Sequence, residues 1–209
     1  DKDAVMKYAQ YALKDKENGQ FAMQLLTDAY KAKGDTAKWV EKLQEGIVKF
    51  PENQYFFANL VDYYSSSNQN DKAMQFADDM LAKDPNNKLY LYVKAYLYHN
   101  MKDYEKAIEF YKKTLDVDPT YAEACSNLGL VYLLQAQDYA DKAPTDINDP
   151  NYATAQANIK KFYEEAKPYY EKARELKPDQ KDLWLQGLYR VYYNLNMGPE
   201  FEAIEKLMN

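Results

Sequence analysis

The chain has 209 residues, of which 46% are hydrophobic and 29% are charged, a balance that supports a packed core and excludes a compositionally disordered chain. Its formal net charge is −6, from 27 basic and 33 acidic side chains, so it lacks the basic excess typical of proteins that bind nucleic acid or anionic membranes generally. The single cysteine excludes an internal disulfide, and one cysteine with one histidine cannot form a His/Cys zinc site. The longest apolar runs, such as residues 129–134, are far shorter than the roughly 20 residues of a membrane-spanning helix. We therefore expect no cofactor, no metal, no nucleic-acid partner and no membrane insertion.

Four prolines divide the chain into repeated units. Pro51, Pro85 and Pro119 are 34 residues apart, and Pro178 follows 59 residues later, which is 34 plus 25. Each proline comes directly after a run of residues typical of a helix, and a proline disfavours the α conformation of the residue before it. The spacing predicts five units of paired helices, at residues 20–53, 54–87, 88–121, 122–180 and 181–209.

Residues 1–19 fit the same register as the second helix of a pair. An orphan helix is predicted over residues 4–16, with apolar and small residues at Tyr8, Ala9, Ala12 and Leu13. Its paired first helix would lie before Asp1, and half a repeat leaves one helix face uncovered. We therefore expect the native protein to extend upstream of Asp1.

The regular units carry one apolar pattern on each helix. Spacings of three, four and seven residues describe a buried helical stripe, and small residues within it let two helices approach closely. The first-helix sets are Met23/Leu26/Thr27/Tyr30, Phe57/Leu60/Val61/Tyr64, Leu91/Lys94/Ala95/Tyr98 and Cys125/Leu128/Gly129/Tyr132. The second-helix sets are Trp39/Leu43/Gly46, Ala73/Ala77/Met80, Ala107/Tyr111/Thr114 and Ala166/Tyr170/Ala173.

The fourth unit contains the 25 additional residues. Its first helix is predicted to continue to Ala140, followed by a turn at residues 143–148. Asp149 is predicted to be the N-cap and Pro150 the first residue of a second helix that runs to about residue 177. Pro168 falls inside this helix and predicts a kink. Two interpretations stay open for this elongated hairpin, one in which it packs on itself and one in which it projects as an arm for a partner.

The 34-residue helix–turn–helix pattern, clearest in residues 103–119, resembles the tetratricopeptide repeat. This resemblance implies an all-α fold, a right-handed superhelical solenoid of antiparallel helix pairs with about 11 helices, no strands and one elongated hairpin. Residues 162–173 and 188–198 are further similar to tetratricopeptide-repeat proteins of Bacteroidetes-type bacteria, a resemblance that implies a cell-envelope location.

The repeat resemblance implies a non-catalytic scaffold that binds a protein or peptide on a concave face formed by the first helices. The alternative is a structural, self-associating module of a larger envelope protein, with a weak homo-oligomer as the expected state. An enzyme is disfavoured, because the six glycines form no phosphate-binding loop and the carboxylate pairs are typical of solvated helix surfaces.

A candidate groove follows from the third unit, where Tyr92, Tyr96 and His99 form a stripe about 100° around the helix from the buried one. With the equivalent and neighbouring positions of other units, the candidate groove residues are Tyr55, Asp62, Tyr92, Tyr96, His99, Ser126, Leu130 and Tyr189. Tyrosine at such positions either binds a ligand or fills a groove between helices, and both interpretations stay open.

The charge near this stripe indicates which kind of ligand the groove would favour. Residues 54–87 contain five aspartates and two lysines, a net charge of −3, which favours a ligand with apolar side chains and some positive charge. The groove positions Gln24, Asp28, Ala58 and Asp62 include no basic side chain. We therefore expect no binding of the acidic chaperone C-termini that some tetratricopeptide domains clamp through basic residues.

Overall fold

The computed structural model describes residues 2–12, 18–51 and 53–208, which contain eleven α-helices, one 3-10 helix over Lys181–Leu183 and no strand. The all-α prediction, with about 11 helices, is confirmed. The helices are α1 Lys2–Ala12, α2 Gly19–Lys33, α3 Thr36–Lys49, α4 Gln54–Ser66, α5 Asn70–Lys83, α6 Lys88–Asn100, α7 Tyr104–Val117, α8 Ala122–Ala140, α9 Tyr152–Leu176, α10 Leu185–Asn194 and α11 Gly198–Glu205.

Local sequence explains where the helices begin and end. Helices α3, α5, α7 and α9 each end two residues before one of the four repeat prolines, as predicted. Asn or Asp side chains accept backbone N–H groups at the starts of α3, α4, α6 and α7 and satisfy donors that have no partner within the helix. These caps are Asp35 to Lys38 N at 3.2 Å, Asn53 to Tyr55 N at 3.1 Å, Asn87 to Leu89 N at 3.0 Å and Asp103 to Lys106 N at 3.3 Å.

The chain forms two compact units, Asp1–Phe76 and Ala77–Asn209. The core of the first unit contains Met23 and Leu26 of α2, Leu43 of α3 and Phe57 of α4, each at most 1% exposed. Gly46 is required in α3, because a methyl group at its Cα would lie 2.3 Å from the ring of Phe56. Close approach of α3 and α4 therefore depends on the absence of a side chain at this position.

Helix α1 packs on α2 with Ala9 buried, as predicted, and Asp3 forms an ion pair with Lys33. The assignment of Tyr8 to a buried apolar position is wrong, since its side chain is 74% exposed. Leu13 and the rest of the predicted helix beyond Ala12 lie outside the described residues.

The second unit confirms the predicted stripes. Ala107, Tyr111 and Thr114 of α7 are fully buried. Lys94 is the exception among the first-helix positions, because it is charged. Its ammonium nitrogen lies 4.7 Å from the centre of the Phe110 ring and pairs with Asp78. The lysine is accommodated at this position because its charge lies over an aromatic ring and is paired with a carboxylate.

The elongated hairpin packs on itself in antiparallel fashion. The ring centres of Tyr132 and Tyr169 lie 5.9 Å apart, and farther along, those of Tyr139 and Phe162 lie 6.1 Å apart. Helix α8 extends to Ala140 as predicted, and α9 continues without interruption through Pro168. This contact pattern favours the self-packed hairpin over a detached arm.

The predicted start of α9 is wrong. The helix begins at Tyr152, with Asn151 and not Asp149 at the N-cap position. The Asp149 carboxylate accepts the backbone N–H of Asn151 at 2.7 Å, and Pro150 lies in the turn. Asp149 therefore stabilises the turn before the helix, as aspartate commonly does by accepting an N–H two residues on.

Candidate functional site

The eight predicted groove residues fall in both units. Tyr55 and Asp62 belong to the first, and the other six belong to the second. The Tyr55 hydroxyl on α4 donates to the Asp28 carboxylate on α2, and burial together with this carboxylate raises the pKa of Tyr55. Asp62 is exposed. Tyr55 therefore links two first helices, and its polar tip already has a partner.

Tyr92 is part of a tyrosine cluster between α6, α7 and α8. Its ring centre lies 5.8 Å from that of Tyr111 and 5.0 Å from that of Tyr121. The Asn127 amide donates to the Tyr92 hydroxyl at 2.7 Å. Burial, with a further contribution from the negative charge of Glu123, raises the pKa of Tyr92 to about 12. The Tyr92 ring thus contributes to packing, and its hydroxyl group forms the polar edge of the cluster.

Tyr96 and His99 lie on the open side of this cluster. Both side chains are partly exposed, with ring centres 6.3 Å apart. The His99 ring centre is 6.5 Å from that of the buried Tyr111, and His99 Nδ1 is 3.5 Å from the Tyr111 hydroxyl. Burial lowers the pKa of His99, since desolvation disfavours the charged ring.

The lowered pKa of His99 predicts that the folded chain loses stability in acid. The unfolded chain binds the His99 proton near the ordinary pKa of 6.5, whereas the folded chain holds the neutral ring until lower pH. The neutral His99 ring therefore makes its full contribution to the stability of the fold above the ordinary pKa of the unfolded chain. This contribution is lost as the pH falls through the lowered pKa of the folded chain. We expect the fall in Tm between about pH 7.5 and pH 5.5 to be smaller in His99→Gln than in the wild type, measured by circular dichroism in both buffers. An equal fall in both proteins would show that His99 does not contribute.

Three partly exposed residues occupy equivalent positions on consecutive first helices of the second unit. Leu130 is 34 residues after Tyr96, and Tyr189 is 59 residues after Leu130, the same two intervals that separate the repeat prolines. Helix α8, which carries Leu130, contacts both α6 and α10. We call Tyr96, Leu130 and Tyr189 the first-helix row. The Tyr189 ring is supported from behind by Phe201, at 4.9 Å between centres.

The residue before each member of the row is buried, namely Ala95, Gly129 and Leu188. The row therefore lies at the boundary between the core and solvent on each helix. Ser126 is also partly exposed and lies 34 residues after Tyr92. Leu185, 59 residues after Ser126, is an equivalent position that the prediction missed, although the repeat interval alone would have found it.

Asn127 was also missed, and its role depends on the fold. It lies 34 residues after the buried Val93, so the repeat register predicts an apolar residue there. Its contact with Tyr92 joins residues 35 positions apart, which the sequence alone does not reveal.

Cys125 is buried, as predicted, and burial raises the pKa of its thiol to about 11.

Among residues 2–12, 18–51 and 53–208, no group of three or more His, Cys, Asp or Glu side chains is placed to hold a metal ion. No helix within the described part of the chain combines the length and apolar character needed to cross a bilayer.

Three segments match known repeat families. Residues 95–135 match a model described as TPR repeat, and residues 76–109 and 159–180 match two models described as tetratricopeptide repeat. The match at residues 159–180 covers most of α9, the second helix of the elongated unit. No curated protein matches the chain.

Solved structures match the fold over nearly the whole chain. MamA, known from a crystal structure, has 16% sequence identity to this chain. The match has a TM-score of 0.58 and covers 91% of this chain and 90% of the MamA chain. The type IV pilus biogenesis factor PilW is 16% identical, with a TM-score of 0.59 over 96% of this chain and 81% of that one. The human IFIT1 dimer with m7Gppp-AAAA is 18% identical, with a TM-score of 0.68 over 99% of this chain but 46% of that one.

At these identities the likeness concerns the fold alone. The narrower resemblance to proteins of Bacteroidetes-type bacteria is not supported by these matches and stays a prediction.

Proposed function

Because the chain contains tetratricopeptide repeats, we propose that it is a non-catalytic scaffold that binds a protein or peptide on the first helices of its second unit. The observation that carries the proposal is the first-helix row. Its three apolar or aromatic side chains stay partly exposed at equivalent positions on α6, α8 and α10. Two of them, Tyr96 and Tyr189, are of the aromatic type that contributes much of the binding energy in many interfaces.

The groove favours a ligand with apolar side chains and some positive charge. Glu123 lies close enough to Tyr92 to influence its pKa, and the Lys88 ammonium on this side is already paired with Asp118 at 2.7 Å. The whole chain also carries a net charge of −6. A basic, apolar segment is attracted by this charge, whereas an acidic C-terminal peptide is repelled.

The test is a peptide selected from a displayed random library against the chain, with its affinity measured by fluorescence anisotropy. Tyr96→Ala is expected to weaken binding by at least about 2 kcal/mol, roughly 30-fold, if this ring is a central contact. Tyr92→Phe keeps the packed ring and is expected to retain most of the affinity. The matched control is Tyr8→Ala, which removes an exposed tyrosine from α1 in the other unit.

Unchanged affinity in both Tyr96→Ala and Leu130→Ala would contradict the proposal. Loss of binding in Tyr8→Ala would place the peptide on α1 and α2 instead. Selection of acidic peptides, or micromolar binding of an acidic C-terminal peptide, would contradict the expected charge preference.

A second candidate function is self-association, and an exposed groove in the first unit favours it. Val5 and Tyr8 of α1 and Phe21 and Leu25 of α2 are between 37% and 74% exposed and line an apolar groove of about 470 Å³. Exposed apolar patches of this kind commonly mark interaction surfaces. A monomer at every concentration in sedimentation velocity would exclude this function. A dimer that Phe21→Ser dissociates would support it.

A further inference from the structure

The elongated unit contains a cleft beside its long connection. Helices of the regular pairs are joined by two or three residues, whereas α8 and α9 are joined by residues 141–151. Between the end of α8, this connection and the start of α9 lies a cleft of about 590 Å³, a size typical of small-ligand sites. Gln135, Asp138, Tyr139 and Lys142 line it from the end of α8 and the connection, Tyr104 from α7, and Phe162 from α9.

Three aromatic rings form the walls. Tyr139 and Phe162 face each other across the hairpin, with ring centres 6.1 Å apart, and the Tyr139 hydroxyl accepts the Asn158 amide at 2.8 Å. Tyr104 lines the cleft from the first turn of α7. The Tyr139 ring is therefore held in place before any ligand enters, and aromatic walls of this kind suit a flat cation.

Two residues that line the cleft carry oxygen acceptors. Gln135 Oε1 is buried and accepts no hydrogen bond, which is uncommon for a buried polar atom. The Asp138 carboxylate lies three residues on, on the same face of α8. Burial, with a further contribution from this carboxylate, raises the pKa of Tyr104. A ligand that brings N–H donors would pair with the carboxylate, and it would satisfy the Gln135 oxygen once that side chain turns toward the cleft.

The cleft also contains one cation, Lys142. Its side chain is exposed at the edge, whereas Asp138 and Gln135 are partly buried. Because solvent screens an exposed charge more than a partly buried one, the carboxylate has the larger influence on a bound ligand. Lys142 should repel a cation weakly and would attract an anion.

We propose that this cleft binds a guanidinium group, from an arginine side chain of a partner protein or from a small arginine-derived molecule. The planar guanidinium carries several N–H donors for the Asp138 and Gln135 oxygens and can stack on an aromatic ring. The site is separate from the first-helix row and does not depend on its function.

The experiment is a titration of the ¹⁵N-labelled chain, followed by NMR, with N-acetyl-arginine methylamide, agmatine and N-acetyl-citrulline methylamide. Citrulline has nearly the same shape without the charge. We expect at least one guanidinium probe to bind about tenfold more tightly than citrulline, since hydrogen bonds to charged groups are substantially stronger than neutral ones. Preference for the arginine methylamide would indicate a protein side chain as the source, and preference for agmatine would indicate a small molecule.

Two charge changes in the cleft should act in opposite directions. Asp138→Asn is expected to weaken binding of the guanidinium probe about tenfold, and Lys142→Gln to strengthen it by about twofold. The matched control is Asp141→Asn at the C-cap of α8. Asp141 is exposed, accepts the Gln137 amide and lies outside the cleft lining, so this change should affect affinity little.

Equal binding of arginine and citrulline probes to the wild-type chain would overturn the proposal without any variant. Equal losses in Asp138→Asn and Asp141→Asn, or weaker binding in Lys142→Gln, would also overturn it. Melting curves of each variant separate lost binding from lost folding.

Discussion

Tyr170→Ala is expected to lower the free energy of unfolding of the second unit by about 3–5 kcal/mol, the range for removal of a large buried aromatic side chain. Tyr170 lies on α9 and is 4% exposed. Its ring lies against Gly129 of α8 and Gly187 of α10, positions at which a methyl group would be 2.7 Å and 2.2 Å from ring carbons. One ring therefore fills the space between three helices, and its removal leaves a cavity that the backbone cannot close.

The measurement is urea unfolding followed by circular dichroism. Tyr170→Phe keeps the ring and is the matched control, expected to cost much less. A loss below about 1 kcal/mol for Tyr170→Ala would show that the helices close around the missing ring, contrary to the expectation from close packing.

Gly187→Ala is expected to destabilise the second unit by about 1–3 kcal/mol, the usual cost of overpacking a core. Alanine is the better helix former by about 1 kcal/mol, so an unhindered substitution would stabilise α10. Here the added methyl group would lie 2.2 Å from Cε1 of Tyr170, well inside van der Waals contact. The clash outweighs the gain in helix propensity.

The double variant Tyr170→Ala with Gly187→Ala tests the contact between these two positions directly. In the Tyr170→Ala background the clash is absent, so Gly187→Ala should become neutral or stabilising. The same unfolding measurement on the four proteins of the cycle gives the coupling between the two positions. A Gly187→Ala cost that is equal in both backgrounds would contradict the assigned contact.

The sequence alone determined the helices and most of the core. The 34-residue interval, the prolines after α3, α5, α7 and α9, and the spacing of three and four residues all act within one or two helices. Such local signals do not depend on which distant residues meet. For that reason the buried positions of α7 and the end of α8 at Ala140 were predicted correctly.

Only the tertiary structure decided the roles of individual side chains. Tyr92 contributes to packing because Tyr111, Tyr121 and Asn127 surround it, and these contacts join residues 19 to 35 positions apart. Lys94 is accommodated at an apolar position because its ammonium group lies over the Phe110 ring and pairs with Asp78.

The cleft at the elongated hairpin could not be predicted at all. Its walls come from α7, α8 and α9, and the unpartnered oxygen of Gln135 follows only from their packing. Helical periodicity tells which face of each helix is buried, but the hydrogen bonds available to a side chain depend on the neighbouring helices, which the periodicity does not specify.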